Sequence, residues 1–289
     1  HYSTNGKFSQ IFEDFITREI PQSLPFSPTK NCLGATNQQV VDALRTNGCY
    51  VFPEKLSAEL TQALQTFSKS HTAHARPADG KPAVSCAYPE MRKHGNTIFQ
   101  FDEQSLVENE AVCAFANTPD FHAIAAEYLG TPPLIDLITM WWSFATQSGL
   151  EEQSGAAQLY HFDLDRLSFV KVFVYLTDVD ENTGPHSYIK GSHKGYRGAT
   201  FTRDGRFSDE EVAAAYPKEE YRICGPAGTV FIADTKGLHK GNPLIDGERL
   251  MFQIQFVNSL FGAPSANSKI KNPALISDKN KAAFAKYFL

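Results

Sequence analysis

His161 and Asp163 stand two residues apart in the run Gln-Leu-Tyr-His-Phe-Asp, residues 158–163. On a β-strand that spacing puts both side chains on one face. A neutral imidazole beside a carboxylate suits a divalent first-row metal, and iron(II) with open coordination positions is the best-known case. Alone the motif says little, because polar pairs on strands are common, so further ligands must come from elsewhere in the chain. A lone histidine, His239, follows in Gly-Leu-His-Lys-Gly. His71 and His74, three apart, have a spacing that a helix could use for metal. No further ligand accompanies them, and a surface loop or lid is the better reading.

The segments around His161 and His239 read as strands with two unlike faces. In residues 169–176, Val170, Val172, Val174 and Leu176 share one face, while Phe169, Lys171, Phe173 and Tyr175 share the other. The aliphatic face fits contact with helices and the mixed face a cavity lining. Residues 249–256 repeat the pattern, with Arg249, Met251, Gln253 and Gln255 opposite Leu250, Phe252, Ile254 and Phe256. Leu134–Phe144 is a further strand, rich in β-branched and aromatic residues. Its adjacent Trp141 and Trp142 point to opposite faces, one to the core and one toward a cavity.

Earlier in the chain the periodicity is helical. A short helix is expected over residues 8–20, then one over Gln38–Asn47 with Asn37 as N-cap and Gly48 as stop. Ser57 caps a helix over Ala58–Ser70, and Asp120–Leu129 ends at Gly130. Cys49–Pro53 is a short apolar strand. Residues 71–100 read as a long polar loop, a lid candidate. Residues 196–226 form a charged excursion with a short helix over Asp209–Ala215. Helices first and strands later give an α+β fold, expected as a single domain over residues 1–289. Helical support covers about 1–130, a strand-rich core about 134–260 and a tail 261–289, and the chain after Ser259 is expected, with residues 71–100 and 196–226, to shape the substrate pocket.

The 289 residues, 42% hydrophobic and 20% charged, suffice for a substantial core. A net charge of −5 offers no field for nucleic acid or an anionic membrane surface, and no apolar run reaches membrane-span length. Five cysteines at 32, 49, 86, 113 and 224 show no paired spacing, which fits reduced thiols in the cytoplasm.

Taken jointly, several segments resemble the phytanoyl-CoA dioxygenase-like family of iron(II)/2-oxoglutarate-dependent oxygenases. They are His161-Phe162-Asp163, Asn182-Thr183-Gly184 leading to Lys190-Gly191-Ser192-His193-Lys194, and Gly225-Pro226-Ala227-Gly228-Thr229 before a strand. Gly237-Leu238-His239 and Arg249, ten residues beyond His239, complete the set, and Gly48–Pro53 resembles the family's opening strand. The resemblance implies a double-stranded β-helix, a jelly-roll or cupin-like barrel with flanking helices. It implies His161, Asp163 and His239 as ligands of iron(II), with the remaining positions for 2-oxoglutarate and O2. Arg249 would anchor the distal carboxylate of 2-oxoglutarate, a role its place on a polar strand face already suits. Phe173 would wall the cosubstrate, and Gln158 would give it a polar contact. His186 and His193 are set aside as ligands, His193 because its segment resembles a family loop.

Lys171 would meet the cosubstrate or an acidic substrate, or else snorkel at the barrel rim. Asp165 and Arg166 are expected to form a local surface ion pair. The reaction implied is hydroxylation of a small-molecule substrate, since halogenating relatives carry a small residue where Asp163 stands. Two other readings are a catalytically silent ligand-binding relative and a cupin-like metalloenzyme that uses no keto acid. A broken ligand set or a missing arginine would mark the first, and neither occurs. Indifference to loss of Arg249 would mark the second.

Overall fold

Helices form where caps and apolar spacing agree. Helix α1 (Asn37–Asn47) opens on a capping box one residue earlier than expected. The Thr36 hydroxyl accepts the Gln39 N–H, and the Gln39 side chain accepts the Thr36 N–H. Gly48 closes it at φ +83°, a conformation that costs glycine little. Ser57 caps α2 (Ala58–Ser70), as expected. Then follow α3 (Glu103–Val107), α4 (Glu110–Ala116) and α5 (Pro119–Leu129), the last stopped by Gly130 in the left-handed region. The structure is a computed structural model that describes residues 30–76, 84–146, 157–196, 205–264 and 267–288, so the helix expected over residues 8–20 lies outside the described residues.

Thirteen strands among the described residues make two antiparallel sheets. They are β1 (Cys49–Val51), β2 (Thr72–Ala75), β3 (Ser85–Ala87), β4 (Ile98–Phe101), β5 (Leu134–Phe144), β6 (Tyr160–His161), β7 (Phe169–Tyr175), β8 (His186–Ile189), β9 (Arg206–Phe207), β10 (Glu220–Ile223), β11 (Val230–Ala233), β12 (His239–Gly241) and β13 (Glu248–Val257). The larger sheet runs β1-β11-β7-β13-β5-β4-β2-β3, the smaller β10-β8-β12-β6-β9. A short helix, α6 (Asp209–Ala215), occurs where the sequence places it.

The outer face of the large sheet carries the helices. Val170, Val172, Val174 and Leu176 of the β7 segment and Leu250, Phe252, Ile254 and Phe256 of β13 join one buried cluster with Val40 and Leu44 of α1, Leu64 of α2, Phe115 of α4 and Ile124 of α5. Each such side chain contributes on the order of 1.5–3 kcal/mol by leaving water. The inner face meets the small sheet through Phe173, Tyr175, Tyr188, Phe231 and Met251. The period-two reading therefore holds for both apolar faces and for Lys171, Phe173, Arg249, Met251 and Gln253, which line the cavity between the sheets.

Three expectations need correction. The sheets face each other as a double-stranded β-helix sandwich, but the hydrogen-bonded strands do not close into a barrel. Residues 71–100 are not one long loop: among the described ones, β2, β3 and β4 extend the large sheet beyond β5, with β4 pairing β5 through Ile98↔Ser143 and Gln100↔Trp141. The tail does not shape the pocket either. Its final turns, Lys281–Tyr287, pack against α3 and β5, where the Tyr287 hydroxyl donates to Glu103 and Lys286 is held by Asp136. No helix among the described residues is long and apolar enough to cross a membrane.

Candidate metal and cosubstrate site

β6 and β12 lie side by side with His161 directly opposite His239, and their rings are 4.3 Å apart. Asp163 follows just beyond β6, its backbone N–H bonded to the Thr235 carbonyl at 2.8 Å, so the two-residue spacing does put it on the face of His161. His161 Nε2 is 3.6 Å from Asp163 Oδ1, and His239 Nε2 is 3.5 Å from Asp163 Oδ2. The three donor atoms all lie within 4.8 Å of one another.

Both imidazoles are oriented in the same way. His161 Nδ1 is 2.9 Å from the Leu159 carbonyl, and His239 Nδ1 is 2.9 Å from the Gly237 carbonyl. A carbonyl can only accept, so each Nδ1 carries a proton and each Nε2 is the ring atom turned toward Asp163, free to ligate a metal. Burial, reinforced by His239, pushes the His161 pKa down to about 3, which keeps its Nε2 free of protons. Two ligands at about 2.1 Å from one ion lie roughly 3.0–3.4 Å apart. The observed separations need only a slight closing, and the donor set fits a divalent first-row metal.

The turn before His239 has little room for side chains. A Cβ on Gly237 would fall 2.1 Å from the Tyr188 hydroxyl, which donates to the Asp234 carbonyl at 2.7 Å. That bond holds the turn whose Gly237 carbonyl fixes the His239 ring.

The triad opens into a cavity of about 230 Å³ between the sheets, also lined by Lys171, Phe173 and Arg249. Lys171 is neither at a rim nor free. Its ammonium lies 2.6 Å from Asp163 Oδ2 and 2.9 Å from Asp165 Oδ2. Although burial opposes its charge, those two carboxylates raise its pKa. Burial likewise opposes ionisation of Asp163, yet Lys171 and the two histidines hold its carboxyl well below the usual carboxylate range. Asp165 is thus engaged by Lys171, while Arg166 reaches the buried Asp136 at 2.7 Å, so the expected Asp165–Arg166 surface pair is replaced by two separate bridges.

Arg249 is 4% exposed. Among the described residues its Nε and Nη1 have no hydrogen-bond partner, and its Nη2 makes one long bond, 3.4 Å, to the Ser143 hydroxyl. It extends to the small sheet, where Nη2 lies 3.1 Å from the place a Cβ on Gly241 would take, two residues past His239. Burial lowers its pKa, but a guanidinium starts so high that it stays charged. A buried guanidinium without a carboxylate is costly unless a ligand supplies one. Phe173 stacks on Phe231 at 4.8 Å and forms part of the cavity wall.

The structure also sorts the remaining residues. Gln158 is buried, but it does not line the cavity. Gln158 precedes β6 beside a turn in which Ala157 has φ +56°, and it is Ala157 that lines the cavity. His186, set aside as a ligand, lines the cavity beside the triad with its ring 5.5 Å from that of His239 and its Nε2 buried without a partner. Burial, with His239 nearby, holds it well below the usual imidazole pKa and so neutral. Trp141 is the cavity tryptophan and Trp142 the core one. Arg76 and Gln100 also line the cavity. Composition hides both, because they sit in the polar stretch that reads as a loop.

A family described as phytanoyl-CoA dioxygenase matches residues 44–245. The chain belongs to that family, within the iron(II)/2-oxoglutarate-dependent oxygenases. The match includes His161, Asp163 and His239 and stops four residues short of Arg249. No curated protein matches the sequence significantly. Several solved structures share the fold. The 2-oxoglutarate-dependent epimerase SnoN of nogalamycin biosynthesis is 14% identical, covering 83% of this chain and 88% of its own, with a TM-score of 0.56. EctD from S. alaskensis, solved with 2-oxoglutarate and 5-hydroxyectoine, is 16% identical, covering 90% of each chain, with a TM-score of 0.54. HygX from Streptomyces hygroscopicus, solved with nickel and 2-oxoglutarate, is 16% identical, covering 77% of this chain and 87% of its own, with a TM-score of 0.53.

Proposed function

We propose that this family member is an iron(II)- and 2-oxoglutarate-dependent hydroxylase of a small or medium organic substrate. The observation that carries the reading is the meeting, in one cavity, of a His-Asp-His donor set with a buried guanidinium that has no counter-ion among the described residues. Iron(II) bound with the keto acid supplies oxygen activation: O2 delivers one atom to the substrate C–H as hydroxyl and the other to succinate, with loss of CO2.

The chain's own residues do the placing. His161 and His239 present Nε2, and Asp163 presents one carboxylate oxygen while the other stays on Lys171. Arg249 takes the distal carboxylate of the keto acid on its guanidinium, whose Nε and Nη1 have no partner among the described residues. Phe173 and the inner faces of β7 and β13 keep bulk water from the reacting centre. A carboxylate at position 163, where a halogenase would need space, favours hydroxylation. That SnoN is an epimerase shows that this fold hosts other outcomes too. All five cysteines are free thiols, which supports a reducing compartment such as the cytoplasm.

The test is iron(II)-dependent conversion of 2-oxoglutarate to succinate across a panel of amino acids, other carboxylic acids, acyl-CoA thioesters and secondary metabolites. The expected result is a compound that accelerates succinate release and gains one oxygen atom in equal amount. If no compound raises succinate release above the metal-free control, the hydroxylase reading fails.

A further inference from the structure

We propose that His186 is a second anchor for the distal carboxylate of the keto acid, a hydrogen-bond donor beside Arg249. The inference rests on the proposed function, because it needs 2-oxoglutarate to run from the metal ligands to Arg249.

The sheet register sets His186 at the Arg249 end of the site. Between β12 and β8, His239 pairs with Tyr188 and Gly241 pairs with His186. Residues two apart on a strand share a face, so Gly241 and His186 form the next row on the face that carries His239. That row lies about 7 Å along the strand from the metal-binding histidine. The Arg249 guanidinium comes to the same row, with Nη2 3.1 Å from the place a Cβ on Gly241 would take. Directly opposed residues of an antiparallel pair hold their Cβ atoms about 4.5–5.5 Å apart. An anion held on Arg249 over Gly241 is therefore within reach of an imidazole at position 186.

The surroundings of His186 fix the ring and leave a polar atom unpaired. Its backbone N–H donates to the Tyr175 hydroxyl at 2.9 Å, and that hydroxyl donates to the Ile223 carbonyl at 2.8 Å. Phe173, Phe231 and His239 pack around the imidazole, with ring centroids 5.3, 5.2 and 5.5 Å away. The two phenyl rings hold no acceptor, and His239 has its Nδ1 on the Gly237 carbonyl. His186 is 4% exposed and lines the cavity, and its Nε2 has no hydrogen-bond partner among the described residues.

Buried polar atoms are ordinarily paired, and this one stands beside a guanidinium in the same condition. One carboxylate answers both, accepting from Arg249 on one oxygen and from the Nε2–H of His186 on the other. The metal does not answer His186, because the donor atoms that converge on one point are those of His161, Asp163 and His239.

The experiment titrates 2-oxoglutarate calorimetrically into the full chain loaded with manganese(II) and kept free of oxygen. His186→Leu is expected to weaken binding by about tenfold or more, as for loss of a hydrogen bond to a charged group. His186→Gln, whose amide can donate to the same oxygen, should recover part of that loss. Manganese(II) affinity should stay within about threefold of wild type in both variants, which also shows that they are folded. 2-Oxopentanoate, the same chain without the distal carboxylate, should bind the wild type and His186→Leu alike. Unchanged 2-oxoglutarate affinity in His186→Leu, or an equal loss in His186→Gln, would overturn the assignment, since the ring would then only fill space. So would a parallel loss of manganese(II) affinity or of 2-oxopentanoate affinity, either of which would put His186 at the metal end. Failure of the wild type to bind 2-oxoglutarate at all sinks the proposed function instead.

Discussion

Replacing Arg249 by leucine is expected to weaken 2-oxoglutarate binding by roughly 30-fold to several thousand-fold, the effect of truncating one partner of a buried charge pair. The guanidinium is 4% exposed, and two of its three nitrogens have no partner among the described residues. Its pairing therefore has to come from the keto acid. The same observation makes a second, opposite expectation. In protein free of keto acid the leucine variant should unfold no earlier than wild type, because it removes a buried charge that nothing compensates. Wild type should gain stability as 2-oxoglutarate is added, by mass action, and the variant should not. Calorimetric titration and thermal melts read both effects. A Kd within about threefold of wild type would favour a metalloenzyme that uses no keto acid.

Lys171→Met should lower the melting temperature of the metal-free protein by roughly 5–10 °C, as for loss of about 3 kcal/mol. Its ammonium is the cation closest to Asp163 and also holds Asp165, at 2.6 and 2.9 Å. Without it two carboxylates face each other with no ammonium between them. A divalent ion on His161, Asp163 and His239 would replace the missing charge, so manganese(II) should raise the melting temperature of the variant by more than it raises that of wild type. Equal metal-induced shifts in the two proteins would show that Lys171 does not balance the charge of the ligand carboxylate.

These side chains differ in how far the sequence exposes them. His161 and Asp163 are legible because strand period is two, and the same rule reads the apolar faces of β7 and β13 and the residues that line the cavity from them. Arg249 is legible as a cation on a polar strand face, although its isolation from any carboxylate is a tertiary fact. Gln158 lies outside the reach of that rule: it precedes β6 beside the turn at Ala157, and it stays off the cavity. Arg76 and Gln100 escape detection for a different reason. Strands β2, β3 and β4 have only three or four residues each, too few for alternation to stand out from the polar residues around them. What makes them strands is pairing: β4 with β5, which lies far along the chain, and β2 with β4 and β3. The docking of the tail through Tyr287 and Glu103, 184 residues apart, is nonlocal in the same way.

The central claim is that one cavity binds iron(II) and 2-oxoglutarate together, the metal on His161, Asp163 and His239 and the keto acid toward Arg249. It is tested most directly by adding iron(II) and 2-oxoglutarate to the protein without oxygen and recording the visible spectrum. The account predicts a weak charge-transfer band that needs both additions and is lost in His161→Ala. Absence of the band in the folded wild-type protein, or its persistence in His161→Ala, would contradict it.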